Sequence, residues 1–378
     1  MFKFKHYNFR NLNVALIVIV SILCLISAYA INLSDNDGLG LFKRQIMGLV
    51  FGLIIIAVVS IIDYHFMASL AGVIYLIATA LVAMTILSPL KTDLGTSSYR
   101  WLDLKVINLQ PSELAKIGII IALAVFFVKV EERMDKVSTL FIGGIIMGIP
   151  TFFVLNQSDL SSSLVMIFIF CIMIFAAGLS YKIILPILGI SVPSIVVFFW
   201  YIMQPNQKLL EGYQLERIIG FLNPEKYGSS TMYQQMNSIK AIATGQLYGK
   251  LLAEGPSSVR GYNSVGVNES DFIWSVIGEE FGFLGCCIII FLLSLVIIMC
   301  LMTARKAKDR LGKLLAIGVS SMFMFQVFAN IGVATMILPN TGLPLPFLSY
   351  GLSSLISSMI AIGLIINIGL QQKNNIRG

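Results

Sequence analysis

Runs of apolar residues long enough to cross a hydrocarbon core of roughly 30 Å begin near positions 12, 43, 67, 112, 139, 160, 182, 272, 311 and 349. They predict about ten membrane-crossing helices, and an even number puts both ends of the chain on one side. The seventh and eighth are separated by one long polar segment, about residues 204–271. Within it, positions 234–249 carry apolar residues at helical spacing and end in glycine, which predicts an amphipathic helix lying at the membrane interface. A loop of this length with structure of its own is usually functional. The expected fold is an all-α polytopic membrane protein, a single domain over 1–378 whose long structured loop, 204–271, is extracellular.

Composition agrees, with 57% hydrophobic and 12% charged residues and a mean hydropathy of +0.88. That balance excludes a soluble globular fold. The net charge of +7 does not indicate nucleic acid, because the basic residues stand in short clusters between apolar runs, where they orient the chain and meet anionic lipid. With the N-terminus inside, fourteen of the 26 basic residues fall on inside segments. Six of the other twelve belong to the long loop, and long loops largely escape the charge rule, so the count over short segments becomes fourteen to six. Both termini are therefore expected in the cytoplasm, with the 89–111, 204–271 and 339–348 segments sharing the outer face. The first apolar run is about twenty residues and lacks a small-residue cleavage site, which makes it a first membrane helix and not a signal peptide. All five cysteines lie inside apolar runs and the two histidines are far apart, so neither a disulfide framework nor a zinc site is readable.

The polar residues that matter are those at the mouths of the apolar runs. Asp271, Glu279 and Glu280 stand at or inside the start of the eighth run. A carboxylate at hydrocarbon depth costs about 2.5 to 3.5 kcal/mol on insertion scales unless it faces a wet cavity or a partner, which makes such groups functional candidates. Glu113 and Lys116 are i, i+3 neighbours behind Pro111-Ser112 at the start of the fourth run. They can share an ion pair on entering the bilayer, line a cavity for a charged head group, or do both. Asp159 either caps the sixth helix or lines the same vestibule. Arg100 precedes Trp101 in the 89–111 loop, and Arg217 in the long loop is suited to grip phosphate oxygens through its planar fork or to snorkel to lipid head groups. Gln326 and Asn330 are spaced for interhelical hydrogen bonds. The cluster at 305–310 reads as an orientation signal. The stretch 339–354 packs three prolines and two glycines before the last run, which predicts non-helical backbone forming a rigid wall of a wet site.

Together, Arg100-Trp101, Gln110-Pro111-Ser112-Glu113, Asp159-Leu160, Asp271-Phe272-Ile273 with Glu279-Glu280-Phe281-Gly282, and Gly342-Leu343-Pro344-Leu345-Pro346-Phe347 with Ser349-Tyr350-Gly351 resemble the SEDS family (shape, elongation, division and sporulation), which includes RodA, FtsW and SpoVE. The motifs occur in order over nearly the whole chain. The resemblance implies a peptidoglycan glycosyltransferase that polymerises lipid II into β-1,4 glycan on the outer face of the bacterial plasma membrane, beside a class B penicillin-binding protein. It places the essential aspartate on Asp271 and substrate contacts on Arg100, Glu113, Lys116, Asp159 and Arg217, and Glu279 and Glu280 are expected to contact substrate as well. Mg2+ or Mn2+ is implied by family and chemistry only. Where the family usually reads Pro-Asp-Leu-Gly-Thr this chain has Ser158-Asp159-Leu160-Ser161-Ser162, and no proline precedes Asp271 in Gly266-Val267-Asn268-Glu269-Ser270. A lipid II transporter and a non-catalytic scaffold are the rival readings. The sequence does not separate roles in elongation, division and sporulation.

Overall fold

The computed structural model describes residues 7–34, 39–87, 91–92, 100–103, 108–157, 159–204, 207, 218–222, 232–251 and 260–372. Among the described residues twelve α-helices of six or more residues follow one another. They are α1 (Val14–Ser34), α2 (Gly40–Ile61), a short α3 (Tyr64–Ser69), α4 (Ala71–Leu87), α5 (Pro111–Lys129), α6 (Val137–Asn156), α7 (Leu160–Ala176), α8 (Tyr181–Ile202), α9 (Tyr233–Gly245), α10 (Ile273–Lys306), α11 (Arg310–Ala334) and α12 (Leu352–Leu370). Eight are long and apolar enough to cross a membrane, and α4 and α7 are shorter apolar helices. The expectation of about ten spans thus meets eight helices of spanning length and two shorter apolar ones among the described residues.

Burial sorts the bundle. In α12, α5 and α11, 83%, 72% and 67% of the most apolar stretch is buried inside the protein, so these three form the centre and the others face lipid in varying degree. α2 packs on α12, α4 on α5, α7 on α11 and α5, and α1 on both α2 and α10. The centre is welded by small-residue approaches and by polar side chains that bond across helices, as expected where lipid supplies no hydrophobic drive between apolar faces. Asn367 on α12 donates to the Ser60 carbonyl on α2 and accepts from the backbone of Tyr64. Asn330 on α11 likewise bonds outside its own helix. Its acceptors, the Asp271 and Leu343 carbonyls, lie on non-helical segments, so the bond it makes is not the helix-to-helix bond expected of it.

One element departs from the sequence expectation. A three-stranded antiparallel sheet, β1 (Lys91–Thr92), β2 (Trp101–Asp103) and β3 (Asn108–Leu109), caps the α4–α5 end of an otherwise helical fold. Its strands are two or three residues long, too short for any alternation to register. α9 is a helix, as expected, with one face against the bundle: Gln235 donates to the Val333 and Leu338 carbonyls and Ser238 to Ala334. That face satisfies backbone groups at the end of α11, while Tyr233 and Lys240 on the other side are exposed.

α10 is the longest element at 34 residues, and it is kinked at Gly282, where φ is 65° and ψ −168°. The segment after α9 fills the break. Lys250 and Leu251 donate backbone N–H groups to the Glu279 and Glu280 carbonyls, and Phe283 and Leu284 donate theirs to Gln246 and Leu247. Four backbone bonds thus re-satisfy the groups that the kink releases, the condition for non-helical backbone inside a membrane bundle. The approach requires glycine on both sides, since a Cβ on Gly249 would strike the Glu280 carbonyl and one on Gly282 would strike Gly249.

Candidate functional site

Asp271 sits on the turn 267–272, immediately before α10. The turn folds back on itself through Ser270 and Phe272 N–H groups, both donated to the Val267 carbonyl. Val267 adopts φ 58°, the left-handed region that a β-branched residue rarely enters. Such strain persists only where the surroundings over-determine it, and here two separate segments hold the turn. Asn330 of α11 donates one amide to both the Asp271 carbonyl, at 2.9 Å, and the Leu343 carbonyl, at 2.7 Å. Ser349 donates to the Ser270 carbonyl at 2.6 Å and accepts from the Leu345 N–H, while the Tyr350 N–H reaches the Glu269 carbonyl. The proline-rich stretch is therefore the wall that the sequence predicted, and it grips the aspartate's turn directly.

The same wall contacts the outer turn before α7. Ser161 donates to the Thr341 carbonyl, next to Gly342, which faces the Asp271 carboxylate. Asp159 is buried and caps α7, accepting from the Ser162 N–H at 3.0 Å and its hydroxyl at 2.8 Å. The capping role considered for Asp159 is thus realised, and its charge acts on Asp271. Arg100, half-buried at the start of β2, acts on Asp271 too. The Asp271 carboxyl is held well above its usual range, at about 6. Burial is the largest cause. Arg100 opposes it, Asp159 and Glu269 add to it, and a hydrogen bond from Ser270 opposes it again.

Glu113 and Lys116 form a fully buried pair at 2.8 Å on the first turns of α5. Proline at the first helical position and an acid in the first turn are what a helix start favours. Their turn is sewn to α12, with Ser357 donating to the Glu113 carbonyl and Ser353 bridging the Gln110 N–H and the Asn108 carbonyl. Lys116 has three N–H donors, of which Glu113 takes one.

Glu279 and Glu280 are placed differently from the rest. Glu279 accepts from Lys250 at 2.7 Å, Thr244 at 3.0 Å and the backbone of Gly261 and Tyr262 at 3.0 and 2.9 Å. Glu280 accepts from Arg260 at 2.9 Å and the Tyr262 hydroxyl at 3.0 Å. Both are buried and committed to the loop, so they hold the long segment on α10 where a substrate contact was expected. Their ion-pair partners, Lys250 and Arg260, were not singled out from the sequence; the signal that could have found them is the need of a deep carboxylate for a cation on the one long polar loop. Arg217 lies outside the described residues. Among the described residues no three His, Cys, Asp or Glu side chains gather as a metal site.

Fold and site together define a polytopic helical membrane protein with a half-buried carboxylate, Asp271, on the turn before a long apolar helix and within the field of an arginine. Residues 8–374 match the cell cycle protein family of FtsW, RodA and SpoVE, and the chain belongs to that family. It is 31% identical over 342 residues to the probable peptidoglycan glycosyltransferase FtsW of Geobacter sp. (strain M18), covering 89% of both chains. The peptidoglycan glycosyltransferase MrdB of Escherichia coli K12 is 29% identical over 367 residues, covering 96% of this chain and 95% of that one. Among solved structures, a chain from a peptidoglycan synthase complex that coordinates polymerization and crosslinking superposes with a TM-score of 0.78 at 25% identity, covering 96% of this chain and 97% of that one. The rod shape determining protein RodA of Thermus thermophilus superposes with a TM-score of 0.68 at 22% identity, covering 98% of each chain.

Proposed function

We propose that this protein is a peptidoglycan glycosyltransferase that polymerises lipid II on the outer face of the bacterial plasma membrane, with both termini in the cytoplasm. The acceptor's GlcNAc 4-hydroxyl attacks the anomeric carbon of the donor MurNAc. A C–O bond forms there as the bond to undecaprenyl pyrophosphate breaks, and inversion of the α-donor gives the β-1,4 link. The attacking hydroxyl must lose its proton as the bond forms, and the departing pyrophosphate must be met by positive charge.

Asp271 takes the proton. A free aspartate, near 3.9, is a weak base toward a sugar hydroxyl, and the placement of Asp271 corrects this by raising its affinity for a proton while leaving it ionised at neutral pH. The observation that carries the reading is the position of this one carboxylate. The backbone of its turn is clamped by Asn330, Ser349 and Tyr350, and the carboxylate itself faces Gly342 and lies within the field of Arg100. Arg100 is suited to the leaving pyrophosphate, and Lys116, with donors beyond the one given to Glu113, to a phosphate or sugar oxygen. Arg217 keeps the same assignment from the family pattern.

The described residues do not build a metal cage: Asp159 spends its carboxylate on Ser162, and no three acids gather as a metal site around Asp271. A Mg2+ or Mn2+ ion would therefore arrive on the pyrophosphate, and every step above belongs to protein groups. A class B penicillin-binding protein as partner is supported by the structural relative that works within a synthase complex.

The test is polymerisation of labelled lipid II by the purified protein, alone and with its co-expressed partner, read as glycan length on a gel. Long strands are expected. No strands under any partner condition, combined with movement of lipid II between leaflets of vesicles, would assign the protein to transport.

A further inference from the structure

At the far end of α10 from Asp271, the turn into α11 encloses a pocket of about 510 Å3 whose charged lining is Arg305, Lys308, Asp309, Arg310 and Lys313. The single carboxylate there is already engaged. Asp309 caps α11 through the Gly312 N–H at 2.7 Å, and its other oxygen meets the Tyr64 hydroxyl at 2.9 Å and the His65 ring at 2.7 Å. Arg310 is engaged as well, with Glu131 and the Ala177 carbonyl. Arg305, Lys308 and Lys313 are exposed and have no hydrogen-bond or ion-pair partner among the described residues. Three converging cations without counter-charge favour an anion with several oxygens.

Depth says where that anion comes from. Leu301 and Met302, one turn before Arg305 on α10, are 41% and 46% exposed, and Phe291 and Ile298 above them are exposed too. This outward face is apolar up to the last turn and then becomes cationic, as at the boundary between hydrocarbon and head groups. Residues 301 and 305 are i, i+4 neighbours, so an acyl chain lying on Leu301 brings its phosphate to Arg305. An orientation signal needs basic residues only somewhere in the turn; it does not need them around a cavity in line with a lipid-facing stripe.

We propose that this pocket binds the phosphate of an anionic phospholipid head group. Occupancy would brace the turn where Tyr64 and His65 of α3, Glu131 after α5 and the α10–α11 hairpin meet. The site is separate from Asp271 and does not depend on the reaction proposed there.

The experiment uses the full-length protein in detergent, titrated with phosphatidylglycerol, phosphatidylcholine or inorganic phosphate, and reads bound lipid by native mass spectrometry and thermal unfolding. Phosphatidylglycerol should bind and raise the unfolding temperature above the phosphatidylcholine value. The triple variant Arg305→Gln/Lys308→Gln/Lys313→Gln should bind it roughly a hundredfold more weakly, from three cations removed at the head-group level. The variant Lys129→Gln/Lys136→Gln/Lys182→Gln, which removes as much exposed charge elsewhere, should bind like the native protein. Equal loss in both triple variants would reduce the pocket to diffuse charge and overturn the proposal. So would the absence of any preference over phosphatidylcholine, or equal stabilisation by inorganic phosphate, which would reassign the site to a soluble anion.

Discussion

The Asp271 carboxylate lies against the backbone of Gly342: a Cβ added to that glycine, which has φ +70°, would stand 3.1 Å from Oδ2. The Asp271 turn and the proline-rich stretch therefore meet at a residue that can carry no side chain without disturbing the carboxylate. Gly342→Ala incurs a left-handed penalty of about 1 to 2 kcal/mol and displaces the base. Polymerisation should fall at least about tenfold, as expected for a misplaced catalytic group, while unfolding shifts only slightly. An alanine variant with native activity would mean that the wall does not position Asp271.

The raised Asp271 pKa fixes the direction of two pH effects. A base must be ionised, so activity should rise with pH through about 6 and level off above it. Stability runs the other way. The folded state binds the proton more tightly than the unfolded chain, so this group's contribution declines as pH rises from about 4 to about 6. Arg100 is the cation that limits the shift. In Arg100→Gln the midpoint of the pH–rate profile should move upward, a readout distinct from any loss of pyrophosphate binding, which lowers the plateau.

Glu279→Gln tests whether the paired glutamates serve the loop. The substitution removes the charge that holds Lys250 and weakens the acceptor for two backbone N–H groups. With Lys250 partly exposed, the expected destabilisation is about 2 to 3 kcal/mol, the range for hydrogen bonds to a charged group. Limited trypsin digestion should then cut at Lys250 or Arg260 faster than in the native protein. Unchanged digestion with lost lipid II binding would return Glu279 to the substrate.

For Glu113 and Lys116, two substitutions should be milder than one. Either single neutralisation leaves a buried, unpaired charge and should lower stability by about 3 to 5 kcal/mol. Glu113→Gln combined with Lys116→Met should recover most of that in thermal unfolding. If Lys116 also meets substrate oxygens, polymerisation should not recover in the double variant. Recovery of both would confine the pair to a structural role.

Much of this architecture is legible in one dimension. Apolar length marks the membrane helices, the insertion cost of a carboxylate marks Asp271, the i, i+3 spacing marks Glu113 with Lys116, and the helix start marks Asp159. The insertion cost also marked Glu279 and Glu280, correctly as groups needing partners, but their partners Lys250 and Arg260 lie 29 and 20 residues upstream. Nothing local reports such a distant pairing. The re-entry of 246–251 onto the α10 kink is equally silent, because it is made of backbone groups; its one trace is the paired spacing of Gly245 with Gly249 and Gly278 with Gly282. Asn330 shows the same limit, since its spacing from Gln326 predicts a bond across helices and cannot say that the acceptor is the Asp271 carbonyl.

The most direct test of the account is polymerisation of labelled lipid II by Asp271→Asn beside the native protein, with circular dichroism and thermal unfolding confirming that the variant is folded. Asparagine keeps the shape of the side chain and the backbone contacts of the turn but cannot accept the proton. The account predicts long glycan strands from the native protein and none above background from the variant at any pH between 5 and 8. Strands of equal length and rate from both would contradict it, and the base would have to be sought elsewhere in the vestibule.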